Sequence, residues 1–200
     1  MKIIGLVGGI GSGKSTVARF IGQLEGTVVI DADQLGHEVL RQVEVKTLIQ
    51  AQWGDTPFGE DGEIDHRKMA ALVFSGTTDG NANLEKLMAI SHPRIALLLK
   101  KRLETARIKG DRLVLLDAPL LLEGGWECFC DAVVFVDAPE QMRLTRVLKR
   151  GWTSEEFHAR EARQIPLNLK RTASYFVISN DNSLVELEHR IGDVIRRIID

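Results

Sequence analysis

A three-layer α/β fold built on a five-stranded parallel sheet is what this sequence predicts, and three observations predict it. Short apolar runs recur along the chain and stop at Gly, Asp or Asn. Segments with helical spacing lie between them. The runs are apolar throughout rather than alternating, which requires cover on both faces of the sheet, as helices give to parallel strands.

The elements follow in order. Lys2 to Val7 is a buried strand that ends at glycines, and Ser15 to Leu24 reads as a helix. Thr27 to Ile30 is a second strand ending at Asp31, Leu113 to Leu116 a third ending at Asp117, Val133 to Val136 a fourth ending at Asp137, and Tyr175 to Ile178 a fifth ending near Asn180. Between the second and third strands lie about eighty residues, far more than a plain crossover needs. Helical patterns there cover Val45 to Trp53, Asp65 to Phe74, Leu84 to Ile90 and Pro93 to Ile108, so residues 32–110 read as a helical insertion over the site. Residues 151–171 lack a strand pattern, begin with a glycine and are flanked by basic residues, which suits a mobile lid. The core then comprises 1–31, 111–150 and 172–200, closed by an amphipathic helix over Leu184 to Ile199.

Composition narrows the function classes. At 200 residues, 44% hydrophobic and 27% charged, the chain suits one compact domain with insertions rather than a disordered or fibrous protein. A net charge of -2 and few aromatics weigh against a nucleic-acid surface. The first residues lack a signal-peptide pattern, and no apolar run is long enough to span a bilayer, so a cytoplasmic protein without a membrane partner is expected. Cys128 and Cys130 form a lone C-x-C pair, a poor zinc or disulfide pattern, and read as reduced, partly buried thiols.

The chemistry concentrates where the strands end, the place where open parallel sheets bind ligands. Gly8, Gly9, Ile10, Gly11, Ser12, Gly13, Lys14 and Ser15 match G-x-x-x-x-G-K-[ST] in full, after a strand and before a helix. Glycines let the loop curl its N–H groups around phosphate, Lys14 adds a point charge, Ser15 offers a hydroxyl to Mg2+, and Thr16 extends the helix N-terminus. This is the phosphate loop of the P-loop NTPase folds, with ATP and Mg2+ as expected ligands. Asp117 ends an apolar strand, as does the acid that faces magnesium directly or through water in such proteins. In Asp31-Ala32-Asp33, read as an extended segment, alternation sends both carboxylates to one side. Asp33, further from the sheet, is the candidate base for an acceptor hydroxyl, and Asp31 is as readily structural.

These motifs, together with His92-Pro93, the run Asp117-Ala-Pro-Leu-Leu-Leu-Glu123, Arg160 to Gln164 and Val177-Ile-Ser-Asn180, resemble the dephospho-CoA kinase family in order and over nearly the whole chain. The resemblance implies ATP-dependent phosphorylation of the ribose 3'-hydroxyl of dephospho-CoA, the last step of coenzyme A synthesis. It implies ATP binding by Gly8 to Thr16, with Asn180 beside the adenine, and Asp33 as the base. His92, Pro93, Leu120, Leu121 and Glu123 fall on the acceptor side, and Arg146, Arg150 and Arg160 match lid arginines. Taken alone, His92 is as much a residue flanking a helix that Pro93 opens. The basic run Arg143, Arg146, Lys149, Arg150, Arg160, Arg163, Lys170 and Arg171 is alone only a solvated face. The chain departs from the family pattern at Gly151 and Tyr175, where Asp is common, and at His66, where Arg is common. A monomer or weak homo-oligomer is expected.

Two other readings share the loop. Another P-loop kinase, for a nucleoside monophosphate or other small metabolite, would use the same loop, base and lid. A GTP-dependent switch would share the loop and its serine, but no N-K-x-D follows an apolar strand here.

Overall fold

The computed structural model describes residues 1–73 and 78–199. Among them, five strands form one parallel sheet in the order β2-β3-β1-β4-β5, with β1 at Lys2–Gly8, β2 at Thr27–Asp31, β3 at Leu113–Asp117, β4 at Ala132–Asp137 and β5 at Phe176–Ser179. All five predicted strands are present, each within a residue or two of the expected bounds. β1 lies at the centre, so the loop leaving its C-terminal end opens beside the ends of β3 and β4. Register places Leu6 opposite Asp117, and Asp117 opposite Asp31, which aligns two strand-ending carboxylates across β2 and β3.

The apolar runs explain the layering. Ile4, Leu6, Leu113, Leu115, Ala132, Val134 and Val136 pack with Val17, Ala18 and Ile21 of α1 (Lys14–Gly22) and with Leu187, Ile191, Val194, Ile195 and Ile198 of the closing helix. The residues that alternate with them, among them Val7, Val114, Leu116, Val133 and Phe135, are buried as well, so both faces of the sheet are covered. Truncating Ile21 or Ile191 to alanine removes apolar contacts from this core and costs about 2–5 kcal/mol.

The described residues fall into two compact units: Met1–Asp31 joined with the chain from Arg102 on, and Ala32–Lys101. The second unit holds α2 (Ala32–Leu40), α3 (Val43–Trp53), α4 (His66–Val73) and the first part of α5 (Thr78–Lys109). Asp65 caps α4, its Oδ1 accepting the N–H groups of Arg67 at 2.7 Å and Lys68 at 3.1 Å, and these bonds hold its carboxyl below the usual range. The expected end of that helix at Phe74 lies outside the described residues.

Two sequence expectations change here. Asp31-Ala32-Asp33 is not one extended segment: the strand ends at Asp31 and α2 begins at Ala32, so side-chain alternation does not carry from Asp31 to Asp33. Pro93 does not open a helix. The two helices expected over Leu84 to Ile90 and Pro93 to Ile108 are one continuous α5 with Pro93 inside it. Proline removes one N–H from the ladder, but buried Ile95, Leu99, Leu103 and Ala106 form a helical stripe that holds the segment in place. Next to it, Arg94 Nη1 donates to the Ile90 carbonyl at 2.8 Å.

After β4 the chain forms α6 (Glu140–Leu148), α7 (Ser154–Glu161), α8 (Leu167–Thr172) and, past β5, α9 (Leu184–Ile199), whose bounds match the predicted closing helix. The expected lid therefore carries two short helices. α7 starts with a capping box, in which Glu156 N–H donates to Thr153 Oγ1 at 3.1 Å and Thr153 N–H donates to Glu156 Oε2 at 2.8 Å. Gly151 turns the chain out of α6 with φ 87°, a left-handed conformation that Asp adopts less readily, which gives its departure from the family pattern a local reason. Cys128 and Cys130 are free thiols. Cys128 is exposed rather than partly buried, while burial, followed by the negative charges around it, pushes the Cys130 thiol up to about 12.

Candidate active site at the glycine loop

The loop between β1 and α1 is held by side chains that sequence spacing alone does not pair with it. Gly13 sits at φ 96°, and a Cβ there would lie 2.1 Å from Asn180 Nδ2. Only glycine tolerates both that conformation and that approach. Asn180, buried at the end of β5, donates from Nδ2 to the Ser12 carbonyl at 2.7 Å. The Ser12 hydroxyl is buried and has no hydrogen-bond partner.

Arg146 of α6 donates from Nη1 to the carbonyls of Gly11 at 3.2 Å and Ser12 at 3.1 Å, and from Nη2 to that of Asn180 at 2.9 Å. Burial, and then the charge of Arg150, hold Arg146 below the ordinary arginine range. Three residues earlier on the same helix, Arg143 donates to the Ile10 carbonyl at 3.3 Å and is paired with Glu161 at the end of α7. That i, i+3 spacing is what aims both guanidinium groups at the loop. Arg143 is 3% exposed, covers the Phe157 ring at 5.3 Å, and leaves its Nε buried without a partner.

Lys14 is the centre of charge. Its ammonium donates to the Gly8 carbonyl at 2.8 Å and the Gly9 carbonyl at 3.2 Å. Burial pulls its pKa down to about 8, Lys170 and Arg143 push in the same direction, and Asp117 and Glu123 oppose them. Lys170 of α8 is 0% exposed. Its Nζ lies 2.8 Å from Glu123 Oε1 and donates to Gln164 Oε1 at 3.1 Å. Glu123 Oε1 also accepts the Ile165 N–H at 3.0 Å, and Oε2 is buried with no partner. Removing one member of such a buried pair costs about 3–5 kcal/mol, whereas replacing both by apolar groups is often neutral.

The residues predicted from sequence fall into distinct settings. Lys14, Asp117, Glu123, Arg146 and Asn180 converge on the loop, and Asn180 serves it as a strut. Ser15, the second residue of α1, is exposed. Arg150 and Arg160 are exposed, with the Arg160 guanidinium 4.1 Å from the centre of the Trp152 ring. Leu120 is exposed, but Leu121 is a correction. It has no accessible surface, because its Cδ2 fills the space beside Gly5 of β1, so it belongs to the core rather than to an acceptor lining. Arg143 and Lys170, left by the sequence reading among a general basic run, and Glu161 are the partners that it did not single out.

In the second unit, Asp33 lies in the first turn of α2 and His92 is half-buried on α5. Burial lowers the His92 pKa, which disfavours the charged ring. The His66 ring packs against that of His37 of the same unit, centroids 4.5 Å apart and the planes tilted by 52°. Tyr175 is exposed and its N–H donates to the Val133 carbonyl.

The donor set fits Mg2+ held mostly by nucleotide and water. Ser15 presents an accessible hydroxyl and Asp117 a carboxylate that acts on Lys14, while no cluster of three or more His, Cys, Asp or Glu suited to a metal occurs among the described residues.

Known proteins resemble this chain over its length. A family model for dephospho-CoA kinase matches residues 2–186. A dephospho-CoA kinase of Deinococcus radiodurans is 39% identical over 196 residues, covering 98% of this chain and 91% of that protein. One from Geobacter sulfurreducens is 39% identical over 198 residues, covering 97% of each. The crystal structure of TT1252 from Thermus thermophilus superposes with a TM-score of 0.82 at 35% identity, covering 98% of this chain and 97% of that one. A shikimate kinase from Acinetobacter baumannii in complex with shikimate shares the fold, with a TM-score of 0.56 at 18% identity over 98% of this chain and 94% of that one.

Proposed function

The chain belongs to the dephospho-CoA kinase family, and from that premise we propose that it transfers the γ-phosphoryl group of ATP to the ribose 3'-hydroxyl of dephospho-CoA, giving coenzyme A and ADP, the final step of coenzyme A biosynthesis. The observation that carries the reading is the complete phosphate loop, with Lys14 at its centre and surrounded by further cations, in a chain that the family model matches from residue 2 to residue 186.

The chemistry divides among residues of this chain. Gly8, Gly9, Ile10, Gly11, Ser12, Gly13, Lys14, Ser15 and Thr16 hold the phosphates, with Asn180 bracing the loop on the nucleotide side. The 3'-oxygen attacks the γ-phosphorus, the bond from that phosphorus to the β–γ bridging oxygen breaks, and ADP leaves with the electron pair. The hydroxyl proton passes to Asp33, in the first turn of α2. Lys14, Arg146, Arg150 and Arg160 offset the charge that builds on the transferred group. On nucleotide binding, Arg146 exchanges loop carbonyls for phosphate oxygens, and Arg160 leaves Trp152 to do the same. His92, Pro93, Leu120 and Glu123 serve the acceptor. Ser15 and Asp117 are the residues that would hold Mg2+, the latter through water, and the ion would supply charge neutralisation at the outer phosphates.

The domain roles follow: residues 32–110 serve as the acceptor-side insertion, 151–171 as the lid, and the remainder as the nucleotide core. The enzyme acts in the cytoplasm as a monomer or weak homo-oligomer, without nucleic acid or membrane.

The test is ADP release with ATP and Mg2+, comparing dephospho-CoA with adenylate, cytidylate, shikimate and pantothenate, with the product mass confirmed. Selective turnover of dephospho-CoA is expected. Turnover of another acceptor in its place would assign the chain to a different P-loop kinase activity.

A further inference from the structure

Lys170 poses a question that stability does not answer. A fully buried ammonium pays a large desolvation cost, and an apolar pair of similar volume would serve the core at least as well. The charge nevertheless sits where three pieces of the site meet. Glu123 closes the segment that begins at Asp117, Gln164 and Ile165 join α7 to α8, and α8 packs on the glycine loop, where the Leu167 side chain stands 3.2 Å from the place a Gly9 Cβ would occupy. One turn of α8 separates Leu167 from Lys170. The grip has two prongs, since Glu123 Oε1 takes both the Lys170 ammonium and the Ile165 N–H.

The opposite end of the lid is held differently. Its turn at Gly151 meets open space, its entry at Thr153 rests on a local capping box, and Arg160 lies on the Trp152 ring within the same segment. The pair of Arg143 and Glu161 ties the end of α7 to α6.

Resting on the kinase reading above, we propose that Lys170 and Glu123 form a clamp that positions the lid for phosphoryl transfer, fixing residues 164–172 against the glycine loop so that the remainder of the lid delivers its arginines in register. Lys170 is a positioning residue; it acts through the lid and not on the reacting atoms. Within a lid hinged at 151–153 and clamped at 164–172, small errors at the clamp become large errors at the arginines, and misplacement of about 1 Å can cost about a hundredfold in rate.

The decisive variant is the apolar pair Lys170→Met/Glu123→Leu, assayed beside Lys170→Arg. The pair is expected to melt within a few degrees of wild type, to lose at least about tenfold in kcat, and to change KM for ATP by less than about threefold, the split that misplaced transition-state groups produce. Lys170→Arg, which keeps the charge and the grip, is expected to hold kcat within about threefold of wild type. A pair with kcat within about twofold of wild type would overturn the clamp, as would a loss of melting temperature with kcat unchanged. Should the pair fail to fold, Lys170→Gln decides by the same kcat criterion, because it removes the cation of the clamp and leaves in place Glu123, which also serves the acceptor.

A second readout does not depend on the acceptor. Trypsin should cut the clamp variant faster than wild type at Arg160 and Arg163 in the presence of ATP, and equal rates would overturn the clamp. Failure of wild type to turn over dephospho-CoA would count against the function and leave this readout standing.

Discussion

The surroundings of the glycine loop and the unit from Ala32 to Lys101 are built on different principles. Around the glycine loop, named partners hold each important side chain: Lys14 on the carbonyls of Gly8 and Gly9, Arg146 on those of Gly11, Ser12 and Asn180, Arg143 on Ile10 and Glu161, and Lys170 on Glu123. In the unit from Ala32 to Lys101, Asp33 and His92 sit on helices whose inner faces are ordinary apolar stripes of Leu35, Val39, Ile95 and Leu99. The first arrangement is held in advance by charge and hydrogen bonds. The second is held mainly by apolar packing. A kinase gains from that asymmetry: the phosphates are the same in every turnover and repay preorganisation, while the acceptor determines which kinase it is.

Several measurements would break or sharpen the contrast. The largest effect is expected on the acceptor side. Asp33→Asn should lower kcat by about two to four orders of magnitude, the range that general-base catalysis supplies, while ATP affinity by calorimetry stays within about threefold. Turnover near wild type would remove Asp33 from that role and leave the acceptor side without its chemistry. On the nucleotide side, Lys14→Ala should cost about two to three orders of magnitude in kcat/KM for ATP, by loss of charge compensation at the outer phosphates. Gly13→Ala comes next. Its Cβ would meet the Asn180 amide 2.1 Å away in a left-handed backbone, so ATP affinity should fall by at least about tenfold with a measurable drop in melting temperature. Unchanged ATP binding would mean that the strut from Asn180 is dispensable.

The smallest effect is a pH dependence. Free Lys14 loses its proton as pH rises through about 8, and bound phosphates raise its pKa again. ATP affinity should therefore be flat below pH 8 and weaken above it by up to about tenfold per pH unit, with proton uptake on binding seen by calorimetry in buffers of different ionisation enthalpy. The sign for stability runs the other way. Between about 8 and the unfolded value of 10.5 the unfolded chain binds more protons than the folded one, so the free enzyme becomes more stable through this group as pH rises. Proton release on binding, or no proton change, would show that Lys14 does not carry the cluster's charge as described.

How much of this could be read from the sequence follows the same division. The five strands announced themselves because buried parallel strands are continuous apolar runs with polar ends, and the glycine loop because four residues must stand at fixed offsets within eight positions. Asp117 was legible as the end of a strand. Arg143, Glu161 and Lys170 were not, because a buried cation and an exposed one share a composition and only the fold says which carboxylate each meets. Their local signal was present in part, in the i, i+3 spacing of Arg143 and Arg146 on α6. Leu121 was misassigned for the reverse reason, since adjacent leucines in one motif can face solvent and core, as Leu120 and Leu121 do. The break expected before Pro93 failed because one lost hydrogen bond is a small term against the buried stripe of α5. The change of direction after Asp31 was missed because three residues are too few to separate a strand end from a helix start.

Trp152 lies beneath the Arg160 guanidinium, inside the segment read as a lid. An indole's emission responds to a cation resting on its face, so the protein carries an optical reporter at the place where nucleotide binding should pull an arginine away. The other tryptophans, Trp53 and Trp126, lie elsewhere in the chain and can be replaced by phenylalanine to leave a single signal. Rapid mixing with ATP would then give the lid's closing rate in an unlabelled enzyme, and comparison with kcat would tell whether chemistry or lid movement limits turnover.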